Sequence, residues 1–212
     1  MEIISLHPFR TSPDALSNDS IQSLLVEDIY SGDGFLPYDK SIHGSNPLNS
    51  TSLRNRQWDV LRHLLFKAGI EAPLVYNSSG KPIITAGPHI SVTHTGNAML
   101  LSIGNRNHGV DMEAMGIKAS KVKQRFCSEI ELDWAEKTGN ENIYTMIWCA
   151  KEAMFKYFGE KVDFRKELFI EPAETHSSLI YGTYNGIHGQ HRFLCDVYRH
   201  NELCILHAMR VK

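Results

Sequence analysis

Asp111 and Glu113, in the segment Gly-Val-Asp-Met-Glu at 109–113, are the first residues of this sequence whose types and spacing suggest chemistry. Alternation predicts a strand here, so both carboxylates project from one face, about 6.6 Å apart along the backbone. Such a pair is costly unless a positive group lies between its members. Mg²⁺ is one solution, since it binds carboxylate, water and phosphate oxygens. The pair therefore predicts a magnesium site or, alternatively, the solvated face of an edge strand.

A second candidate group lies on a predicted helix, in the segment Trp-Cys-Ala-Lys-Glu-Ala-Met-Phe-Lys-Tyr-Phe-Gly at 148–159. Trp148, Glu152 and Lys156 fall on neighbouring turns, so an acid, a base and an aromatic ring share one stripe. A solvated ion pair on the helix surface would carry no functional meaning. Most of the helix is apolar, however, so Lys151, Glu152 and Lys156 lie near the buried boundary, where charges are usually paired or functional.

Basic and hydroxyl side chains form a third group, upstream of the other two. Lys81 lies in a Gly-Lys-Pro sequence, and Thr93, His94 and Thr95 follow on a predicted strand that ends in a Gly-Asn turn. The hydroxyls and the backbone amides at the turn could hydrogen-bond an oxyanion, and Lys81 and His94 could add positive charge. The alternative is an ordinary turn at the end of a strand.

The elements that position these groups follow from hydrophobic periodicity. Helices are predicted at 21–29, 52–68, 118–126, 129–138 and 142–158, and a long loop at 31–52. Strands are predicted at 1–7, 74–76, 83–84, 89–95, 99–103, 109–114, 167–171, 178–184, 191–198 and 203–211. This order lacks regular βαβ alternation, so it favours an α+β fold over a doubly wound sheet.

A division near residue 106 would give two halves of similar size, 1–106 and 107–212. The predicted hairpins at 89–103 and 191–209 share a pattern of alternating apolar and polar residues, which suggests an internal duplication. Any two antiparallel hairpins share this alternation, so the pattern does not by itself establish a repeat.

Composition excludes several classes of protein. The 22 Lys and Arg against 24 Asp and Glu give a formal net charge of −2, so no global basic field attracts nucleic acid or an anionic membrane. No segment approaches the roughly 20 apolar residues of a membrane span, and the first residues lack the pattern of a secretory signal, so a cytoplasmic location is expected.

The 4 cysteines show no CxxC spacing and are predicted to be small buried hydrophobes. His89 and His94 face opposite sides of a strand, so a histidine-based metal site is set aside.

The three groups occur in the order typical of the 4′-phosphopantetheinyl transferases, and the chain resembles that superfamily. Residues 109–113 are similar to its G-[IV]-D-[IV]-E signature, and 148–159 match W-x-x-K-E-[AS]-x-x-K-x-x-G at every fixed position. Further segments resemble its GKP, S-x-S-H-S and R-F-F-S-x-x-E sequences and its arginine-bearing helix: 80–82, 91–95, 125–131 and 53–65. A length of 212 residues resembles the double-length type, like the activator of surfactin synthetase. That type implies a pseudo-dimer of two similar α+β halves in one monomer, with the active site between the halves.

The resemblance implies transfer of the 4′-phosphopantetheine arm of coenzyme A to a serine of an apo acyl or peptidyl carrier protein, releasing 3′,5′-ADP. It implies Mg²⁺ held by Asp111, Glu113 and Glu152. Glu152 would also take the serine proton, directly or through a metal-bound water. Lys156 and Lys151 would counter the charge that builds on the phosphates.

Coenzyme A contacts are implied by the same resemblance. Lys81, Thr93 and His94 match positions that contact the nucleotide, and Arg54 matches an arginine that reaches its 3′-phosphate. Asp111, Lys151 and Lys156 would lie along the pyrophosphate.

Two other functions remain open at this stage. The same acids and lysines would serve a Mg²⁺-dependent phosphodiester or pyrophosphate hydrolase, with water as the nucleophile. A non-catalytic relative that binds carrier proteins is the second alternative, although it would have no need of three converging acids. The sequence does not distinguish carrier proteins of fatty-acid, polyketide and peptide synthesis.

Overall fold

The computed structural model describes residues 3–9, 21–27, 29 and 52–211, with the backbone alone at 7–9 and 52–55. The chain has a mixed α and β structure with a few helices, which agrees with the predicted α+β class. Its described strands form a four-stranded, a five-stranded and a two-stranded sheet.

The four-stranded sheet is built from residues before 106. It contains β1 (Ile3–Phe9), β2 (Ile21–Val26), β5 (His89–Thr95) and β6 (Ala98–Gly104), in the antiparallel order β1-β2-β6-β5. Helix α1 (Ser52–Lys67) covers one face of it with its leucines. A hairpin of β3 (Leu74–Tyr76) and β4 (Pro82–Ile84) forms the two-stranded sheet.

The five-stranded sheet is built from residues after 106, in the order β7-β11-β10-β9-β8. Its strands are β7 (Gly109–Ala114), β8 (Leu168–Ile170), β9 (Leu179–Gly186), β10 (Gly189–His200) and β11 (Leu203–Arg210). A 3₁₀ helix (Ser120–Arg125), α2 (Glu129–Thr138) and α3 (Asn142–Phe158) lie between β7 and β8 in the chain. The apolar side of α3 packs on this sheet and forms the largest core of the described residues.

A third core joins the two large sheets. Leu25 and Leu100 of the first sheet pack against Val110, Met112 and Ile205 of the second, and all five side chains are fully buried. Burial of this apolar surface holds β2 and β6 of the first sheet against β7 and β11 of the second.

The helix predicted at 21–29 is wrong, because residues 21–26 form the strand β2. Ile21, Leu24 and Leu25 recur at spacings that a helix and a buried strand can both produce. Strand β2 lies between β1 and β6 and is buried on both faces, so the sheet determines its conformation.

The segment predicted as a helix at 118–126 is a 3₁₀ helix over Ser120–Arg125. The predicted loop at 31–52 lies outside the described residues except for Ser52, which begins α1. Among the helices that the structure describes, none is both long and apolar enough to span a membrane.

Candidate active site

Hydroxyl groups of β5 hold the acidic strand β7 in place. Ser91 Oγ accepts a hydrogen bond from the Val110 amide at 2.9 Å, and Thr93 Oγ1 donates to Asp111 Oδ1 at 2.9 Å. Thr95 Oγ1 donates to Glu113 Oε2 at 3.2 Å. Because side chains alternate along a strand, the three hydroxyls lie on one face of β5 and meet successive groups of β7.

A glycine lets α3 approach the same strand. A Cβ atom at Gly109 would lie 1.8 Å from the Ala153 carbonyl oxygen, so only glycine allows this contact. The close approach brings Lys156 Nζ to 2.6 Å from Asp111 Oδ1, and Trp148 Nε1 to 3.2 Å from Glu113 Oε1. The two signatures of the sequence therefore form one site.

Glu152 is the third acid of this site. Burial, and then repulsion from Asp111, raise its pKa to about 7, although Lys156 opposes the shift. Burial and Asp111 also raise the pKa of Glu113, against the hydrogen bonds from Trp148 and Thr95. No hydrogen bond or ion pair joins the Glu152 carboxyl group to any other residue that the structure describes. Glu152 thus has a carboxyl group whose pKa lies near neutral pH, which is the property that a general base needs.

Asp111 has one carboxylate oxygen that can receive a further ligand. Its Oδ1 accepts from Thr93 and Lys156, whereas its Oδ2 is buried and has no hydrogen-bond partner among the described residues. A buried anionic oxygen without a partner is costly, and beside two further carboxylates it suits a hard divalent cation.

In the described part of the chain, no three acidic, His or Cys side chains converge closely enough to form a ready-made metal cage. The carboxylate oxygens of Asp111, Glu113 and Glu152 are nevertheless the kind of ligand that Mg²⁺ prefers. Side-chain rotation would have to bring the three groups together around the ion.

Lys81 lies at the carboxyl end of α3. Its Nζ donates to Asn107 Oδ1 and to the Tyr157 carbonyl oxygen, each at 2.9 Å, and burial lowers its pKa to about 8. Gly159 has a φ of 69°, and a Cβ there would lie 2.8 Å from the Lys81 side chain. The final glycine of the helix signature therefore ends α3 and leaves room for Lys81.

A cavity of about 250 Å³ lies between Lys81 and Lys156, the lysine that pairs with Asp111. Lys81, Lys156 and Gly159 line it, together with Ser91 and Phe155. His94 lies on β5, where partial desolvation of its ring and the charge of Lys156 lower its pKa. The cavity thus has two lysines in its wall, and His94 lies close enough to Lys156 to feel its charge.

Thr93 has a different role from the expected contact with a nucleotide. Its side chain is buried, and its hydroxyl hydrogen is given to Asp111. A hydroxyl group has one hydrogen to donate, so Thr93 positions the acid.

The structure does not bring Lys151 into this site, which corrects the expectation that it lies along the pyrophosphate and counters phosphate charge. Its side chain is fully buried, and Nζ donates to Glu131 Oε2 at 2.7 Å and to the carbonyl oxygens of Phe126 and Phe164 at 2.7 and 2.9 Å. All three ammonium hydrogens are used. Lys151 therefore ties α3 to α2 and to the segment before β8.

Arg54 lies in the first turn of α1, where the backbone alone is described. The predicted contact of its side chain with the 3′-phosphate falls outside the described residues.

Sequence reasoning gave no role to two residues that hold lysines near the site, Glu131 and Asn107. Glu131 binds Lys151 and also accepts hydrogen bonds from the backbone amides of Ser128 and Ile170. The Ser-x-x-Glu spacing of a helix capping box marks Glu131 in the sequence. Asn107, which holds Lys81, precedes β7 and has no comparable signal.

Comparison with known proteins identifies the class. Residues 107–205 match the sequence model of the 4′-phosphopantetheinyl transferase superfamily. These residues, which carry Asp111, Glu113, Glu152 and Lys156, are similar to that superfamily. The resemblance read from the sequence is thereby confirmed.

A curated relative agrees with this class. The chain is 26% identical over 87 residues to the 4′-phosphopantetheinyl transferase gsp of Aneurinibacillus migulanus. The alignment covers 40% of this chain and spans 37% of the length of that relative.

Proposed function

We propose that this protein transfers the 4′-phosphopantetheine arm of coenzyme A to a serine of an apo acyl or peptidyl carrier protein. The observation that carries the proposal is the Glu152 carboxyl group. It lies beside the Asp111–Lys156 pair, has a pKa of about 7, and has no partner among the described residues. The match of residues 107–205 to the 4′-phosphopantetheinyl transferase superfamily supports the same reaction.

In the proposed reaction the serine oxygen attacks the phosphorus that bears the pantetheine arm. The bond from this phosphorus to the pyrophosphate bridging oxygen breaks, and 3′,5′-ADP leaves. Glu152 takes the serine proton, because its carboxylate is buried, free of other donors and of suitable basicity. Lys156 presents its positive charge to the phosphates from the wall of the cavity. Thr93, Thr95 and Trp148 fix the two acids of β7.

Asp111, Glu113 and Glu152 would hold Mg²⁺, with the unpartnered Oδ2 of Asp111 as one ligand atom. When bound, the ion would neutralise charge on the pyrophosphate oxygens. Lys156 already satisfies the other Asp111 oxygen, so metal and lysine need not compete for one atom.

The cavity beside Lys81 is the proposed place for coenzyme A. Two of the three Lys81 ammonium hydrogens are given to Asn107 and Tyr157, which leaves one for a phosphate oxygen. His94 and Arg54 are the remaining proposed contacts, Arg54 to the 3′-phosphate. Thr93 and Asp111 would contribute through the groups that they hold.

We further propose that the chain is a pseudo-dimer of similar halves, 1–106 and 107–212, that works as a cytoplasmic monomer. The three acids of the site, Asp111, Glu113 and Glu152, lie in the second half. The hydroxyls that hold Asp111 and Glu113 lie in the first half. One chain would therefore supply both walls of the site. No role for nucleic acid or membrane is proposed.

The experiment is incubation with a panel of apo carrier proteins, coenzyme A and Mg²⁺, followed by intact mass measurement of each carrier. A gain equal to the phosphopantetheine arm on one or more carriers is expected. Cleavage of coenzyme A without any gain on a carrier would instead identify a hydrolase. No reaction in either assay would refute the proposed function.

A further inference from the structure

Two asparagines hold Lys81, one at its backbone and one at the end of its side chain. Asn77 fixes the backbone, because its Oδ1 accepts hydrogen bonds from the amides of Ser79 and Lys81, at 3.0 and 2.8 Å. The Asn77 amide donates in turn to the Lys81 carbonyl oxygen at 3.0 Å. The turn before β4 is therefore closed on both sides, and the lysine side chain starts from a fixed position.

Asn107 holds the ammonium end of the same side chain. Its Oδ1 accepts from Lys81 Nζ at 2.9 Å, and its Nδ2 donates to the Tyr157 carbonyl oxygen at 3.0 Å. Lys81 Nζ donates to that carbonyl oxygen as well, at 2.9 Å, so the three groups form a closed triangle of hydrogen bonds. A flipped Asn107 amide would turn its NH₂ group towards the ammonium group, so the triangle fixes the orientation of the amide.

The triangle joins three separate segments of the chain at the edge of the cavity. Lys81 precedes β4, Asn107 precedes β7, and Tyr157 lies in the last turn of α3. Carbonyl oxygens in the last turn of a helix lack partners within the helix and attract cations. With two ammonium hydrogens in the triangle, tetrahedral geometry sets the direction of the third. Of the described residues that line the cavity, Lys81 is one and Asn107 is not.

We propose that Asn107 is a positioning residue for coenzyme A, which orients the Lys81 ammonium group so that its third hydrogen is given to a phosphate oxygen in the cavity. The inference rests on the proposed function, since it takes coenzyme A as the ligand of this cavity. Asn107 acts through the lysine and needs no contact with the ligand. Without it, binding would have to order the end of a lysine side chain that has lost one acceptor.

A double-mutant cycle on the affinity for coenzyme A, measured by isothermal titration calorimetry on the full chain, tests this dependence. Asn107→Ala should raise the dissociation constant about tenfold, as expected for a lost hydrogen bond to a charged group, and Lys81→Met should raise it at least as much. Because Asn107 acts through Lys81, the double variant should bind within about twofold of Lys81→Met alone. Asn185→Ala is the matched control, since this asparagine of β9 is exposed, and it should bind like the wild type.

The outcomes of the cycle are distinct. An Asn107→Ala protein with wild-type affinity would overturn the inference. Losses that multiply in the double variant would also overturn it, because Asn107 would then act independently of Lys81. A wild-type protein that does not bind coenzyme A would overturn the proposed function together with the inference.

A second measurement follows Lys81 without any ligand. Acetic anhydride labels lysine amines, and peptide mass spectrometry compares Lys81 with the exposed Lys137 in the same sample. Asn107→Ala should raise the labelling of Lys81 relative to Lys137 about threefold, because loss of an acceptor makes the unreactive ammonium form less stable. The melting temperature of the variant establishes that it is folded. An unchanged labelling ratio in a folded Asn107→Ala protein would contradict the positioning role.

Discussion

Glu152 and Asp111 lie in one site but have opposite electrostatic surroundings. Asp111 has a lysine and a threonine on one oxygen, whereas no described residue donates to Glu152. Burial and the charge of Asp111 therefore raise the pKa of Glu152 to about 7, although Lys156 opposes the shift. Two neighbouring carboxyl groups are thus suited to different tasks, charge pairing and proton transfer.

Mg²⁺ should shift the ionisation of Glu152 to lower pH. Without the ion the Glu152 carboxyl group is half ionised near pH 7, because burial and Asp111 disfavour its charge. A bound cation favours the carboxylate, so the midpoint should fall by one unit or more, on the order of the shifts that neighbouring charges cause. Difference infrared spectroscopy of the carboxyl bands, with Glu152→Gln to assign the band, would follow this change. A midpoint that Mg²⁺ does not move would remove Glu152 from the metal site.

Spacing in the sequence singled out the three acids of the site, but it did not indicate the partners of Lys151 and Thr93. Strand periodicity alone places Asp111 and Glu113 on one face, and the helix pattern brings Glu152 and Lys156 onto one stripe. Neither pattern indicates which charged side chains pair with residues of elements that are distant in the sequence. Lys151 donates to Glu131 and Thr93 donates to Asp111, and no local pattern in the sequence indicates either hydrogen bond.

At the level of elements, the buried Lys151–Glu131 pair holds α3 against α2. Lys151→Met should lower the free energy of unfolding by about 3–5 kcal/mol, because it leaves the Glu131 carboxylate buried without its cation. Lys137→Met is the matched control. The Nζ to carboxylate distance is 2.6 Å in the Lys137–Asp133 pair and 2.7 Å in the Lys151–Glu131 pair, but both side chains of the control pair are exposed. Its removal should cost about 0.5 kcal/mol or less.

Urea denaturation of both variants measures this difference. A Lys151→Met protein as stable as the control, yet unable to bind coenzyme A, would return Lys151 to the phosphate site.

The contact of β7 with α3 depends on Gly109. Gly109→Ala should lower the free energy of unfolding by about 3 kcal/mol, because its Cβ would overlap the Ala153 carbonyl oxygen and push the helix away. In Gly87→Ala the new atom meets the side chain of Ile84 rather than a helix backbone, so a smaller loss is expected. A Gly109→Ala protein with the denaturation midpoint of the wild type would show that the helix can shift at no cost.

The elements around the site were predictable because each has its own local signal. Strand β7 and helices α2 and α3 begin and end at the predicted residues. In α3, apolar residues recur with helical period and Gly159 ends the helix in a left-handed conformation. Strand β2 lacks such a signal, and its neighbours β1 and β6 determine its conformation.

At the scale of the whole molecule, two buried histidines lie near the contact between the large sheets. His108 Nδ1 donates to the Arg106 carbonyl oxygen and its Nε2 accepts from Ser102, both at 2.9 Å. His207 Nε2 shares a hydrogen bond of 2.9 Å with Ser23 of the other sheet. Burial lowers the pKa of His108 to about 4 and that of His207 well below its usual value. Both rings are therefore neutral in the folded protein at neutral pH.

Acid should weaken this fold through His108. Its folded pKa is below the unfolded value of 6.5, so the unfolded chain takes up the proton first as the pH falls. The free energy of unfolding should decrease from pH 6.5 to about pH 4, by on the order of 3 kcal/mol from this residue. Urea denaturation at several pH values should show a smaller decrease in His108→Gln, and no change of slope in the exposed His176→Gln control. A His108→Gln protein with the wild-type pH dependence would contradict this account.

The central claim is that Glu152 is the proton acceptor of the phosphopantetheinyl transfer, and Glu152→Gln tests it most directly. This change keeps the shape of the side chain and removes its basicity. The transfer rate, followed by the intact mass of a carrier protein that the wild type modifies, should fall by about 10²–10⁴ while the melting temperature stays near that of the wild type. A folded Glu152→Gln protein that transfers the arm within fivefold of the wild-type rate would contradict the account.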